Sequence, residues 1–437
     1  AFKDLGRLDE AAGSFGKAVA LDAHYTDAHS NLIYTLKCMA GTSSAGLLAE
    51  AARFGCQVAS MAEPFTQWNV GRDPHKRLRV GMVSGDFRNH VVGRYLESFL
   101  GHIDRARVEF VAYSNVALED EVTARLKPHF ALWRKVVGLN DSALAGLVHE
   151  DGIDILVDLA GHSALNRLPM FAYRPAPVQA TWLGLFTTTG VPGMDFMIAD
   201  PYLAAPGEAR YFTETIWPLV ESWFCLDPPA FDVEPGPLPA LERGFVTFGC
   251  FNNLAKMTDE VVALWAQVLD AAPGSSLFLK TAQLYDPVSS RATLDRFVAH
   301  GIAPERLVLE GHSPLPEYFA AYNRVDLALD PFPFHGATTS LDGLWMGVPV
   351  LTRRGDRVGT HLGESIAWAA GLGDWIADDD DDYVAKAVAL TSDLDRLAAL
   401  RAGLRAQVLA SPLYDGARFA RNFEDALRGM WRKACGA

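Results

Sequence analysis

Along most of this chain short, almost wholly apolar runs alternate with amphipathic stretches. The apolar runs RVGMVS (79–84), FVAYSN (110–115), DILVDLA (154–160), VQATWLG (178–184) and FMIADP (196–201) predict strands, with helical stretches at 91–100, 121–133 and 141–150. A second block repeats the pattern: FVTFGC (245–250), LFLKT (277–281), LVLEG (307–311), VDLALD (325–330) and VPVLT (348–352), with helices at 258–271, 289–300, 316–323 and 341–346. Strands without polar alternation, separated by helices, predict parallel sheets covered on both faces. Between the blocks lies the proline-rich segment DPPAFDVEPGPLPALER (227–243), which reads as a linker. The expected fold class is α/β, two Rossmann-like domains with a cleft between them. Ligands in such sheets sit outside the carboxyl ends of the strands.

The flanks are patterned differently. In LGRLDEAAGSFGKAVALDA, the pair Leu5–Gly6, then Ala11, Phe15 and Ala18, and the closing Asp22–Ala23 are spaced as in the latter part of a tetratricopeptide repeat, and YTDAHSNLIYTL starts another. An ordinary helical hairpin would show similar spacing. A lone repeat cannot bury its faces, so a longer array upstream is expected. The resulting division is 1–65 repeat-like and connecting helices, 66–226 an N-terminal Rossmann-like lobe, 227–243 the linker, 244–382 a C-terminal lobe and 383–437 terminal helices.

Composition narrows the function classes. The 437 residues are 49% apolar, enough for sizeable cores, and no long uncharged apolar run suggests a membrane span. Five cysteines, an odd number without CxxC spacing, point to a reduced, cytoplasmic protein with no structural zinc. A net charge of −14 argues against extended nucleic-acid binding. The run Asp378–Asp382 could suggest a metal, but at a helix start acidic residues complement the dipole, so no metal is assigned.

The densest chemistry lies in LALDPFPFHGATTSLD (327–342): a strand, a small-residue loop with two adjacent threonines, and a helix that this reading opens near Asp342. Exposed N–H groups at a helix start suit a phosphate, and Gly336 lets the backbone approach it closely. Thr338 and Thr339 add hydroxyls, and Asp342 suits a ribose hydroxyl. Lys256 ends GCFNNLAK after an apolar strand, a place from which its ammonium can meet a diphosphate. Tyr318 offers an aromatic face to a nucleobase, or to ordinary helix packing. His90 closes SGDFRNH after the first strand of the N-terminal lobe, where a neutral imidazole can take a proton or bind an acceptor. Asp86 in the same loop either orients it or caps the next helix. Arg174, before PAP, reads as a structural, extended lead-in to a buried strand.

Four segments, GMVSGDFRNH (81–90), RPAPVQATWLG (174–184), GCFNNLAKM (249–257) and DPFPFHGATTSLDGLWMGVPVLT (330–352), together resemble the O-linked N-acetylglucosamine transferases, including bacterial homologues. The resemblance covers nearly the whole chain. It implies a GT-B fold of two Rossmann-like domains preceded by tetratricopeptide-like repeats. It also implies a metal-independent, inverting transfer of N-acetylglucosamine from UDP-N-acetylglucosamine to Ser or Thr hydroxyls of proteins, the repeats recruiting polypeptide, with no cofactor, nucleic acid or membrane involved. His90 and Lys256 are the implied catalytic pair. Asn253, Lys256, Ser313, Tyr318, His335, Gly336, Ala337, Thr338, Thr339 and Asp342 would hold the nucleotide sugar, with Asp86, His162 and Gly184 near sugar or acceptor. The chain departs from the animal pattern: Ala337 and His335 stand where those enzymes have His and Asn, Tyr318 and Ala321 where they have His and Arg, and His162 where they have Tyr. The long interlobe insert is missing. These departures leave another donor such as GDP-fucose, an epimerase or hydrolase of the same fold, or a nucleotide-binding scaffold with little turnover as the rival readings.

Overall fold

In a computed structural model, Phe2, Lys3 and residues 6–437 are described; Leu5 of the repeat-like motif lies outside them. The chain divides into two compact units. The N-terminal unit holds Leu8–Asp227, Arg357–Gly359 and Asp415–Ala437; the C-terminal unit holds Pro228–Asp356 and Thr360–Tyr414.

The N-terminal unit is built on a parallel sheet of β1 (Leu78–Ser84), β2 (Val108–Ser114), β3 (Leu132–Lys135), β4 (Ile155–Asp158), β5 (Val178–Thr181), β6 (Phe196–Ala199) and β7 (Thr215–Pro218), in the order β3-β2-β1-β4-β5-β6-β7. Val80 sits in register with Phe110 on one side and Ile155 on the other. β1, β2, β4, β5 and β6 are almost entirely buried, which is why they read as apolar runs rather than alternating ones. β3 falls at the end of a predicted helix: the helix stops at Leu126, and a single turn containing Pro128 redirects the chain into the strand. β7, whose residues are half-exposed or exposed, also had no apolar signature.

The C-terminal unit repeats the plan with β8 (Thr247–Cys250), β9 (Ser276–Lys280), β10 (Leu307–Glu310), β11 (Leu327–Leu329), β12 (Val350–Arg353) and β13 (Ile376–Ala377), ordered β10-β9-β8-β11-β12-β13, again all parallel. Each sheet therefore reverses its strand order between its first and fourth strands, and the loops leaving those strands at their carboxyl ends open on a crevice.

Two boundaries differ from the sequence reading. Helices Leu8–Leu21, Thr26–Cys38 and Ser44–Ser60 do not form a separate 1–65 domain. Ile33, Ala51 and Phe54 share one apolar core with Val83, Tyr113 and Leu156 of the sheet. A Cβ on Gly55 would stand 1.9 Å from the Gly190 carbonyl oxygen, so only glycine permits that approach. The region 383–437 is likewise not one tail. Helices Asp380–Ser392 and Leu394–Leu409 stay with the C-terminal unit, where the buried Arg401 donates to the carbonyls of Gly236 (2.8 Å) and Val325 (2.7 Å). Helix Gly416–Cys435 returns to the N-terminal unit, its Phe423 packed 4.5 Å from Trp182 and its Glu424 paired with Arg107 at 2.8 Å. The linker is pinned in its second half, ending in helix Pro239–Arg243, with the Ala240 N–H donating to Asp326 at 2.8 Å.

The acidic run begins a helix as its spacing suggested: Asp379 is the N-cap, accepting from the Asp382 N–H at 2.8 Å. Arg174 is structural but not extended. Its φ is +49°, and its guanidinium binds the Gly193 carbonyl and Asp195.

Candidate active site

The loops leaving β8 and β11 meet at the crevice of the C-terminal unit. Asn252 is their hub: its Oδ1 accepts from Lys256 Nζ at 3.1 Å and from Thr339 Oγ1 at 2.9 Å. Lys256 Nζ also donates to the His335 carbonyl at 2.7 Å and lies 4.5 Å from the centre of the Phe334 ring. The ammonium is thus held against the small-residue loop, half-buried, with its charge directed at the start of helix Thr338–Trp345. That helix opens at Ala337, which provides no side-chain cap; the Ser340 and Leu341 N–H groups both turn back to the Ala337 carbonyl at 3.1 Å. A cation, the Thr339 hydroxyl and the start of a helix without a side-chain cap meet here, a donor set suited to a diphosphate.

The loop is held from beneath by Asp330, 3% exposed, which accepts from the Gly336 N–H at 2.7 Å and from Thr352 Oγ1 at 2.8 Å. Burial pushes its carboxyl up to about 7, while these two bonds and the Lys256 charge act in the opposite direction. A Cβ on Gly336 would come within 2.5 Å of Ser340 Oγ and 2.7 Å of Thr339 Oγ1, so a side chain there would displace these hydroxyls.

Beside this loop an aromatic cluster faces Asp342. Tyr318 Oη donates to Asp342 Oδ2 at 3.3 Å and lies 3.2 Å from Tyr322 Oη, which donates to the Thr339 carbonyl at 3.0 Å. Phe251 packs 4.1 Å from Tyr322. Tyr318, on helix Leu315–Ala321, is half-buried, with Phe251 and Phe319 packed edge-on against its ring.

Several sequence expectations are corrected here. The helix begins at Thr338, so Asp342 belongs to its second turn and is buried rather than placed at the opening. Asn253 is exposed and turned away: it caps the turn Leu254–Lys256 and accepts from Gln283 Nε2 at 2.9 Å, while its neighbour Asn252 takes the site position. The His335 ring is buried with Nε2 3.2 Å from the Arg353 carbonyl, and its backbone oxygen accepts from Lys256 Nζ. Ala337 is half-buried at the N-cap, and Ser313 follows β10 with its hydroxyl enclosed and without a hydrogen bond among the described residues. Asn252, Asp330 and Thr352 were missed. Asp330 carried a signal, a lone carboxylate closing an apolar strand just before PFPFHG; Asn252 was indistinguishable from its neighbour.

In the N-terminal unit the loop after β1 carries Asp86 and His90. His90 caps helix Val91–Leu100, its Nδ1 accepting from the Val92 N–H at 3.3 Å, with Asp86 Oδ2 at 3.5 Å and Arg88 bound to Asp86. Asp86 therefore orients the loop and is not the cap. Burial lowers the His90 pKa, partly offset by Asp86 and reinforced by Arg88, so the ring is neutral at pH 7. Nδ1 thus faces both the Val92 N–H and the Asp86 carboxylate, and the ring itself is half-buried. At the end of β4, Asp158 repeats the Asp330 device: it accepts from the Gly161 N–H at 2.7 Å and Thr181 Oγ1 at 2.8 Å, and burial pushes it up to about 6. Gly184 has φ +51°, and a Cβ on it would stand 2.2 Å from the Ala160 carbonyl oxygen, so its role is backbone packing. His162 does not reach the crevice. It is 2% exposed, with Nδ1 3.1 Å from Ser30 Oγ, Nε2 3.0 Å from the Thr189 carbonyl, and Phe54 edge-on at 4.9 Å.

Residues 29–229 and 239–423 match the model of glycosyl transferase family 41. The chain is 36% identical over 395 residues to a protein from Petunia hybrida called probable UDP-N-acetylglucosamine–peptide N-acetylglucosaminyltransferase SPINDLY, and 30% identical over 371 residues to the SEC protein of Arabidopsis thaliana, which bears the same enzyme description. These alignments cover 87% and 82% of this chain but 42% and 38% of the relatives, so the chain spans less than half their length. Among solved structures, a lysine-to-methionine mutant of the Thermobaculum terrenum O-GlcNAc transferase superposes with a TM-score of 0.94 at 39% identity, over 100% of this chain and 83% of that one. Anabaena HepE, solved with UDP and glucose, matches with a TM-score of 0.53 at 11% identity over 80% of this chain and 100% of its own, which speaks to the fold alone. Two parallel Rossmann-like sheets and these neighbours give a GT-B fold, and with the match spanning both sheets the chain is a member of glycosyl transferase family 41.

Proposed function

We propose that this chain is a metal-independent, inverting glycosyltransferase that moves N-acetylglucosamine from UDP-N-acetylglucosamine to Ser or Thr hydroxyls of proteins. The observation that carries the proposal is the placement of Lys256 Nζ on Asn252 and the His335 carbonyl, beside the uncapped start of helix Thr338–Trp345. A departing UDP gains negative charge on its diphosphate. A fixed ammonium and oriented N–H dipoles stabilise that charge without a metal. Tyr318 would face the base, and Asp342 a ribose hydroxyl.

His90, a neutral imidazole, would take the acceptor proton or bind acceptor or sugar. Helices Leu8–Leu21 and Thr26–Cys38 would be the end of a tetratricopeptide array that recruits polypeptide, in a cytoplasmic protein. The names of the relatives and of the Thermobaculum neighbour support donor and acceptor class.

Incubating the chain with isotopically labelled UDP-N-acetylglucosamine and a cell lysate, followed by mass spectrometry, should give labelled Ser and Thr. Lys256→Ala should reduce transfer by about a hundredfold or more while the fold is retained. Wild-type turnover by that variant, or tighter calorimetric binding of GDP than of UDP, would refute the assignment.

A further inference from the structure

A second cavity lies in the C-terminal unit, about 590 Å³ in volume, bounded by the turn before β13 and helices Asp380–Ser392 and Leu394–Leu409. None of Asn252, Lys256, Asp330 or the residues from Gly336 to Asp342 lines it. Its volume is in the range that encloses a small ligand.

Trp368 forms one wall and is 44% exposed. The ring rests against Gly373, where a Cβ would stand 2.5 Å from its six-membered edge, so the glycine creates the seat that holds the indole in the cavity wall. Three cations and three carboxylates line the cavity. Arg354, Lys386 and Arg396 face Asp374, Asp378 and Asp393. Arg354 is paired with Asp378 at 2.8 Å and Lys386 with Asp382 at 3.2 Å, whereas Asp374 and Arg396 lie exposed at the rim. The Gln407 amide adds a further polar group.

We propose that this cavity binds a neutral mono- or disaccharide, with Trp368 as the stacking surface. Arg354 and Lys386 are already paired with carboxylates, so an anion gains little here. A purely apolar ligand would desolvate carboxylate, guanidinium and amide without return. A sugar ring matches both features: its C–H face packs on an indole, and each hydroxyl both donates to a carboxylate and accepts from a guanidinium. The proposal does not depend on the glycosyl-transfer reading, since it uses none of that site's residues.

The test is ligand-observed NMR and calorimetry on the whole chain with saturating UDP present. The probes are N-acetylglucosamine, its β-1,4-linked dimer and adenosine. Saturable binding of at least one sugar, unaffected by UDP, is expected with a Kd of about millimolar order. Trp368→Ala should weaken it by about tenfold or more, with Trp368→Phe retaining most of it and Asp374→Ala giving an intermediate loss. Unchanged UDP affinity in each variant checks that the unit is folded; if Trp368→Ala fails that check, the other two variants decide. No saturable binding of either sugar, displacement by UDP, indifference to these substitutions, or binding of adenosine in place of the sugars would overturn the proposal.

Discussion

Replacing Asp330 by asparagine probes the element on which the diphosphate loop rests. The carboxylate accepts two bonds, from the Gly336 N–H and the Thr352 hydroxyl. In the Asp330→Asn variant the amide oxygen can keep the first, and the Thr352 hydroxyl can rotate to accept from the new NH₂, so geometry is preserved. What disappears is the titration. The carboxyl stands at about 7 against a reference of 3.8, so the folded chain holds a proton that the unfolded chain releases between these values. Native stability therefore falls as pH rises through that window, and the cost is fully present above about pH 7. Three pH units correspond to an upper bound of about 4 kcal/mol. Urea unfolding of wild type and Asp330→Asn at pH 5 and pH 8 should show the variant gaining on the wild type at the higher pH, with UDP affinity held within a few-fold. Asp330→Ala loses both bonds and orphans two buried donors, costing about 2–5 kcal/mol, and should weaken UDP binding as the Gly336 loop loosens. A difference between wild type and Asp330→Asn that is flat with pH, or full UDP affinity in Asp330→Ala, would refute this account.

Two further outcomes follow from the same geometry. Gly336→Ala drives a methyl group into the Ser340 and Thr339 hydroxyls, and calorimetry should show UDP affinity lowered by about tenfold with little change in unfolding midpoint; unchanged affinity would remove Thr339 from the phosphate site. His162→Ala should destabilise the N-terminal unit by about 3 kcal/mol, by opening a cavity beside Phe54 and orphaning the Thr189 carbonyl. Burial pushes His162 down to about 3, so its neutral ring contributes stability that is lost as pH falls from about 6.5, and the variant should be less acid-sensitive than wild type. A raised KM for donor without loss of stability would instead return His162 to the active site.

Legibility differed by element. β1, β2, β4, β8, β9 and β11 were legible because both faces of each strand are buried, leaving apolar runs that only a covered parallel strand requires. β3, β7 and β13 were not, since short or exposed edge strands need little apolar surface. Lys256 and the Gly336 loop stood out by residue type and by position after strands. Asn252 against Asn253 could not be settled from sequence, because which of two adjacent side chains turns inward depends on how the loop packs against the other strand's loop. His162 misled for the opposite reason: a histidine after a strand is the same in sequence whether it faces ligand or is covered by helices Thr26–Cys38 and Ser44–Ser60.

By itself, then, the sequence determined the two α/β blocks, their parallel sheets and the segment that would meet phosphate, because local periodicity and turn chemistry are written in neighbouring residues. The tertiary structure alone decided which units the terminal helices join, that Asp158 and Asp330 play matching anchoring roles at the carboxyl ends of β4 and β11, and that the His335 carbonyl accepts from Lys256. Those outcomes depend on contacts between residues far apart in the chain, where burial and the pairing of polar groups are set only once the sheet is assembled.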